Sequence, residues 1–228
     1  MTIKIAFDLG ASNLKWGIFD EGELISFSSH PLRSTTPEFV FDIINSVIID
    51  SNTNQKTVPI SVPGQVVDGK IVNFPNMVGD WKGQDFSSIC RKVVLRNDAD
   101  CAANYLRNKY PINNGRWLSL CFGTGLGTTI IENGSIIPNL DLGLIEYSEL
   151  PIERLISSSN NFSKSQFLEN VVIILDKFSE LFATRNYIFS GGSVARYEIK
   201  KEDFDLDYNI VVADNSDRIP LLGSSLMV

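Results

Sequence analysis

Four groups of residues have types and spacings that can do chemistry. The first is Asp8, delivered to the end of the apolar run Ile3 to Phe7 and followed by Leu9-Gly10-Ala11-Ser12-Asn13 before Lys15. Such a turn offers backbone N–H groups and hydroxyls that phosphate oxygens can approach, with Lys15 as a positive charge and Asp8 as a carboxylate for the Mg²⁺ that bridges them. An ordinary hairpin with Asp and Asn in its turn is the alternative. The second is Gly123-Thr124-Gly125-Leu126-Gly127, a turn whose amides can cradle a transferring phosphate. No Gly-Lys-Ser/Thr follows, and Thr128 to Glu132 continues as β-branched strand, so it is neither a Walker loop nor a Rossmann fingerprint.

The third is Asn97-Asp98, placed where a strand ends and a helix begins. There the carboxylate can accept a proton from a substrate hydroxyl, although Asn and Asp are also the favoured residues of a plain N-cap. The fourth is Gly191-Gly192 after the strand Asn186 to Ser190, against which a base or ribose can lie flat; close helix-strand packing explains it equally. Asp141, Glu146 and Glu149, with Asn76 from an earlier loop, add carboxylates and an amide of the kind that grip sugar hydroxyls, or that are simply solvated.

Other chemistries are excluded by what is scarce. The single histidine, His30, removes multi-histidine metal sites and leaves a carboxylate as the expected general base. Cys90, Cys101 and Cys121 are odd in number and lack C-x-x-C spacing, so neither a disulfide framework nor zinc is expected, and all three read as buried thiols. A formal charge of −7 argues against a general nucleic-acid surface. No apolar run spans a bilayer and no basic n-region opens the chain, which gives the expectation of a cytoplasmic protein without membrane contact.

The elements that must position these groups come in two copies. RWLSLCFGTGLGTTIIENGSII laid on IAFDLGASNLKWGIFDEGELI gives strand, glycine turn, strand, glycine, strand in one order. Gly10 falls on Gly123, and Gly22 falls near Gly134 with one residue of slippage. The repeat predicts two lobes of about 100 residues, 1–112 and 113–228, divided near Pro111 to Gly115, with a last helix from about Ile219 that returns to the first lobe. Helical spacing marks Thr36 to Asp50 and Ser163 to Leu181; a short helix is expected over Gln84 to Arg91 and a hairpin at Asp68-Gly69. The stretch from Pro75 to Trp81 is expected to be irregular and to line a site.

Taken together, the motifs resemble those of the ROK-family sugar kinases, within the sugar kinase/heat-shock protein 70/actin superfamily. DLGASNLKWGIFD is similar to the first phosphate motif, GTGLG to the second, FSGGSVA to the adenosine motif, and RNDADCAANY to the Asn-Asp-Ala segment. VPGQVVDGKIVNFPNMVGDW and ENGSIIPNLDLGLIEY resemble further family segments, the latter in its polyphosphate/ATP glucokinase branch. The resemblance implies an α/β chain of two ribonuclease-H-like, actin-like ATPase lobes with a cleft between them, and transfer of a phosphoryl group from ATP or polyphosphate to a hexose. It implies Asp98 as base; Asn97, Asn76, Asp141 and Glu146 on the sugar; Asp8 near Mg²⁺; and Gly10, Ser12, Asn13, Lys15, Gly123, Thr124, Gly125, Gly127, Gly191 and Gly192 on the donor. A homodimer is compatible with it. The chain departs from the pattern at Leu144, where the family segment has a sugar-binding histidine, at Asp141 in place of Glu, and at Ala11 in place of glycine. Type III pantothenate kinases share the opening strand and turn but not Asn-Asp-Ala or GTGLG. A non-catalytic sugar-binding or regulatory protein that keeps the cleft but has lost turnover is the other competing reading, motivated by Leu144.

Overall fold

A computed structural model describes residues 3–75, 77–204 and 207–227. By contacts the chain divides into two compact units, Met1–Cys101 with Pro220–Val228, and Ala102–Ile219.

The first unit opens with β1 (Lys4–Leu9), β2 (Asn13–Asp20) and β3 (Glu23–Pro31), followed by α1 (Pro37–Asp50) and β4 (Thr57–Val62). A small hairpin of β5 (Gln65–Val67) and β6 (Lys70–Asn73) precedes β7 (Lys92–Asn97) and α2 (Asp98–Lys109), inside which the division falls. The strands form one sheet in the order β3-β2-β1-β4-β7. Two antiparallel hairpins are followed by parallel pairing of β1 with β4 and of β4 with β7. One face carries Ile5, Phe7, Leu9, Val58, Ile60 and Val62 against Val40, Ile44 and Ile48 of α1, a stripe at four-residue spacing. Each such fully buried side chain contributes roughly 1.5–3 kcal/mol.

The second unit repeats the plan. It runs β8 (Arg116–Phe122), β9 (Leu126–Glu132), β10 (Ser135–Leu140), a short hairpin of β11 (Glu146–Tyr147) and β12 (Leu150–Pro151), then α3 (Lys164–Phe182), β13 (Asn186–Ser190), α4 (Gly192–Arg196) and β14 (Asn209–Val212). Its sheet order, β10-β9-β8-β13-β14, matches the first strand for strand. Phe167, Val171, Ile174, Leu175 and Phe178 of α3 fill the core against Leu118, Leu120 and Phe122. Ser163 starts this helix with a capping box, its hydroxyl accepting from Gln166 N–H while the Gln166 side chain accepts from Ser163 N–H. The last helix, α5 (Ile219–Ser225), places Leu221 with Ala6 and Phe19 of the first unit's other sheet face.

The repeat also locates the one-residue slippage. Leu9 pairs with Leu14 across a four-residue connection, whereas Phe122 pairs with Leu126 across three. Beyond these pairs the copies stay in step: Glu21-Gly22 and Asn133-Gly134 are matching two-residue turns, all four residues at positive φ. The extra residue therefore sits wholly in the first glycine turn.

Three expectations are corrected. Residues 84–91 form turns, not a helix: Phe86 has φ 59°, and the Asp85 carboxylate accepts Ser87 N–H at 3.0 Å, so local side-chain bonding wins over helix. Cys90 lies in this turn region and is exposed; Cys101 is buried and Cys121 is partly so. Trp81 lines nothing open. It is buried among Phe41, Phe74 and Phe86, its indole N–H donating to Thr35 O at 2.8 Å.

Candidate active site

In the first unit the carboxyl ends of β1, β4 and β7 bring the acids together. Asp8 lies in register with Lys15 on β2 and with Ser61 on β4, and Ser61 lies opposite Arg96 on β7. Paired residues on neighbouring strands face the same side, so the row reads cation, carboxylate, hydroxyl, cation. The Ser61 hydroxyl donates to Asp8 Oδ1 at 2.7 Å, and Lys15 Nζ lies 3.6 Å from Oδ2. Asp8 is buried, 5% exposed, so the carboxylate is held by two partners instead of by water. Gly10 N–H donates to Asn13 O at 2.8 Å and closes the turn; Ser12 is exposed at its tip, and its carbonyl accepts Leu32 N–H at 3.0 Å.

Asp98 is the first residue of α2 and half-buried, its Oδ1 accepting Ala99 N–H at 2.7 Å. Asn97 beside it is buried, and both ends of its amide are engaged. Oδ1 accepts Asp100 N–H at 3.0 Å, which caps the helix, and Nδ2 donates to Gly64 O at 2.9 Å. One turn on, burial pushes the Cys101 thiol well above its usual range; Arg96 opposes this, and Asp98, Asp8 and Asp100 reinforce it. One atom thus feels the catalytic candidate, the metal candidate and the exposed arginine at once.

In the second unit the glycine motifs are neighbours. β13 lies parallel to β8 with Ser190 opposite Cys121, and Gly191 is pressed against the Phe122 backbone, just before the Gly123 turn. The turn is braced from outside: Gly123 N–H donates to Gly125 O at 3.0 Å, Ser158 N–H to Gly123 O at 3.0 Å, and the Ser157 hydroxyl to Thr124 O at 2.6 Å. Nothing lies within 4 Å of where a Cβ would stand on Gly123 or Gly192, so both present bare backbone to open space. Gly127 is not in the turn but in β9, paired with Cys121.

After β10 the chain enters the segment expected to hold a sugar. The Thr128 hydroxyl donates to Leu140 O at 2.6 Å and accepts Leu142 N–H at 3.0 Å, fixing the chain on both sides of Asp141. Asp141 is partly buried, its Oδ2 enclosed without a hydrogen-bond partner among the described residues; burial, then the charge of Glu153, raise its pKa. Glu146 is exposed on β11, and Leu144 is 41% exposed on the 3-10 turn Leu142–Leu144. Glu149 has φ 69° in the β11–β12 turn. Asn76 lies outside the described residues.

Ser61, Thr128, Ser157 and Glu153 escaped the sequence reading. Ser61 left a signal, a single hydroxyl inside the apolar strand Val58 to Val62; the others act on backbone groups that carry no residue-type pattern.

Two sheets of one topology, each backed by a helix, with glycine turns on their leading hairpins, give the fold of the actin-like ATPases. Solved structures agree on that fold. The inorganic polyphosphate/ATP-glucomannokinase of Arthrobacter sp. strain KM superposes with a TM-score of 0.89 at 23% identity, covering 99% of this chain and 98% of that one. A ROK family glucokinase of Streptomyces griseus, in complex with glucose and AMPPNP, gives 0.78 at 18% identity, covering 98% of each chain. The sequence model of the ROK family matches residues 4–138, and the chain belongs to that family. Among curated relatives, the polyphosphate glucokinase of Mycobacterium leprae is 33% identical over 67% of this chain, which spans half the length of that protein. That of Mycobacterium tuberculosis is 28% identical, covering 81% of this chain and 76% of its own length.

Proposed function

We propose that the protein is a carbohydrate kinase that transfers the terminal phosphoryl group of ATP or polyphosphate to a hexose hydroxyl. The observation that carries the reading is Asp98, half-buried at the head of α2 within electrostatic reach of the same thiol as Asp8, in a chain of the ROK family. In this reaction the Asp98 carboxylate takes the proton of the sugar hydroxyl, and the hydroxyl oxygen bonds to the terminal phosphorus. The bond to the bridging oxygen breaks, and ADP or a polyphosphate one unit shorter leaves. Such a transfer is accelerated mainly by positioning and charge neutralisation, for which no histidine is needed.

Phosphate positioning is proposed to fall to Lys15, the Gly10 to Asn13 turn and the Gly123-Thr124-Gly125 turn; Gly191 and Gly192 are proposed to receive a nucleoside. The residues present fit Mg²⁺: Asp8 is a buried carboxylate with Oδ1 held by Ser61 and Oδ2 3.6 Å from Lys15 Nζ, a distance at which Oδ2 can also accept from a metal-bound water. Bound there, the ion would neutralise donor phosphate charge. Asp141 and Glu146 are proposed to take sugar hydroxyls, while Asn97 supports the site by capping the helix that carries Asp98. Among the described residues no helix is long and apolar enough to cross a membrane. The proposal places the enzyme in the cytoplasm, with which three cysteines in thiol form agree, as a homodimer that light scattering on the purified chain checks.

The test is a coupled assay with Mg²⁺, a panel of hexoses, and ATP or polyphosphate, with Asp98→Asn as control. Turnover in the wild type that disappears in the control supports the proposal. Leu144 favours a second reading, because a leucine cannot hydrogen-bond the hydroxyl its position faces in the family segment. Thermal stabilisation by a sugar, without turnover on either donor, would replace the kinase by a sugar-binding protein.

A further inference from the structure

We propose that Asn114 is a site of spontaneous deamidation, held shut by the side chain of Asn133. An asparagine followed by glycine is open to attack on its own side chain, because no Cβ shields the next backbone nitrogen. That nitrogen bonds to Cγ, the bond from Cγ to the amide nitrogen breaks, and ammonia leaves with the proton taken from the glycine N–H. Water then opens the cyclic imide at either carbonyl, giving aspartate or isoaspartate and an added negative charge. The chain has two such steps, Asn114-Gly115 and Asn133-Gly134, with Asp68-Gly69 as an acidic counterpart.

Two of these three steps are protected by their own turns. Asn133 has φ 49° and Asp68 φ 51°, in the left-handed region, and each is followed by a glycine at positive φ. A left-handed residue has ψ of about +47°, which sets the following nitrogen across the Cα–C bond from Cβ and out of reach of Cγ. Asn114 is not among the residues at positive φ, and it is exposed together with Gly115 in the connection from α2 to β8. Its own backbone therefore gives it no such protection.

Protection comes instead from the turn between β9 and β10. Gly115 N–H, on the nitrogen that would attack, donates to Asn133 Oδ1 at 3.0 Å, and Asn133 N–H donates back to Gly115 O at 2.8 Å. Asn133 thus grips Gly115 by both its backbone N–H and its carbonyl, and the nitrogen cannot turn toward Asn114 Cγ while its hydrogen is engaged. Around this grip Arg107 of α2 donates to Gly134 O at 2.7 Å and the Trp117 indole N–H to Asn114 O at 3.1 Å, so the two segments stay together. All of these residues lie in the second unit. The isoaspartate product would lengthen the main chain by one carbon just ahead of β8, the middle strand of its sheet.

Two substitutions test the lock. Asn133→Gly suits the left-handed turn but has no oxygen for Gly115 N–H, whereas Asn133→Asp keeps one. Wild type and both variants are incubated at mildly alkaline pH and mapped at intervals by peptide mass spectrometry, with an unfolded peptide of residues 111–118 as the reference. The expected result is that Asn114 converts roughly tenfold faster in Asn133→Gly than in wild type, equivalent to ~1.4 kcal/mol of barrier, while Asn133→Asp stays at the wild-type rate or below it. Fragment spectra should show both aspartate and isoaspartate at position 114, and wild type should lag behind the peptide. If hydrogen exchange shows that Asn133→Gly unfolds β8 as a whole, the comparison of wild type with the peptide and with Asn133→Asp still decides. An Asn114 rate in wild type equal to the peptide's, no acceleration in a folded Asn133→Gly, or acceleration in Asn133→Asp overturns the proposal.

Discussion

Gly191 and Gly192 are adjacent, yet alanine should act on them in opposite ways. Gly191 has φ 104° and ψ 168°, a region that side-chain-bearing residues almost never enter and that costs them about 1–3 kcal/mol. A Cβ there would also stand 2.3 Å from Phe122 O, 2.6 Å from its N and 2.8 Å from its C. These are backbone atoms of a central strand, and Gly191 N–H is itself held by Ser216 O at 2.9 Å, so neither side can retreat cheaply. Overpacking adds roughly 1–3 kcal/mol, so Gly191→Ala should cost about 2–6 kcal/mol in all. At ~2–4 °C per kcal/mol for a chain of this size, the midpoint falls by at least about 4 °C. Gly192→Ala meets open space at the start of α4 and should melt as the wild type does, while raising the KM for ATP. Calorimetry and a donor titration on both variants decide it. A Gly191→Ala midpoint within about 1 °C of wild type, or an equal fall in Gly192→Ala, would refute the reasoning.

Asp98→Asn should reduce kcat by about 10²–10⁴ with the melting temperature nearly unchanged, measured by coupled assay and calorimetry, because the amide can still accept Ala99 N–H but cannot take a proton. Ser163→Ala should destabilise the second unit by ~1 kcal/mol through the lost capping box, and Ser163→Thr should restore most of it in urea titrations. The Tyr187 phenol is pushed from 10.0 up to about 12, chiefly by burial. A raised folded-state pKa gives stability that is whole below pH 10 and lost as pH rises through about 12. Urea midpoints should therefore fall more steeply over that window in the wild type than in Tyr187→Phe.

The doubled architecture was legible because the hydrophobic alternation and the glycines recur in order, and strand order follows from hairpins and crossovers that leave sequence marks. The acids at strand ends were legible for the same reason. What misled was local. Phe86 and Ile89, three apart and both buried, imitate a helix stripe, but the side chain of Asp85 and the positive φ of Phe86 turn the chain instead. Asn97 shows the other limit: its residue type fits a ligand and a cap alike, and only coordinates reveal both ends of its amide engaged with the chain. Glu153 could not have been found, because its partner is a main-chain N–H and its acidic neighbour lies twelve residues earlier.

The unequal lengths of the two glycine turns, four residues against three, carry a lesson about tolerance. Adding one residue within a strand would invert every side chain beyond it, sending core groups to water. Added at the apex of a hairpin, it disappears into the loop, and both flanking strands keep their facing. Each half of this doubled architecture is therefore at liberty to shape its own loop, one with alanine, serine and asparagine, the other with glycine and threonine, without disturbing the scaffold beneath.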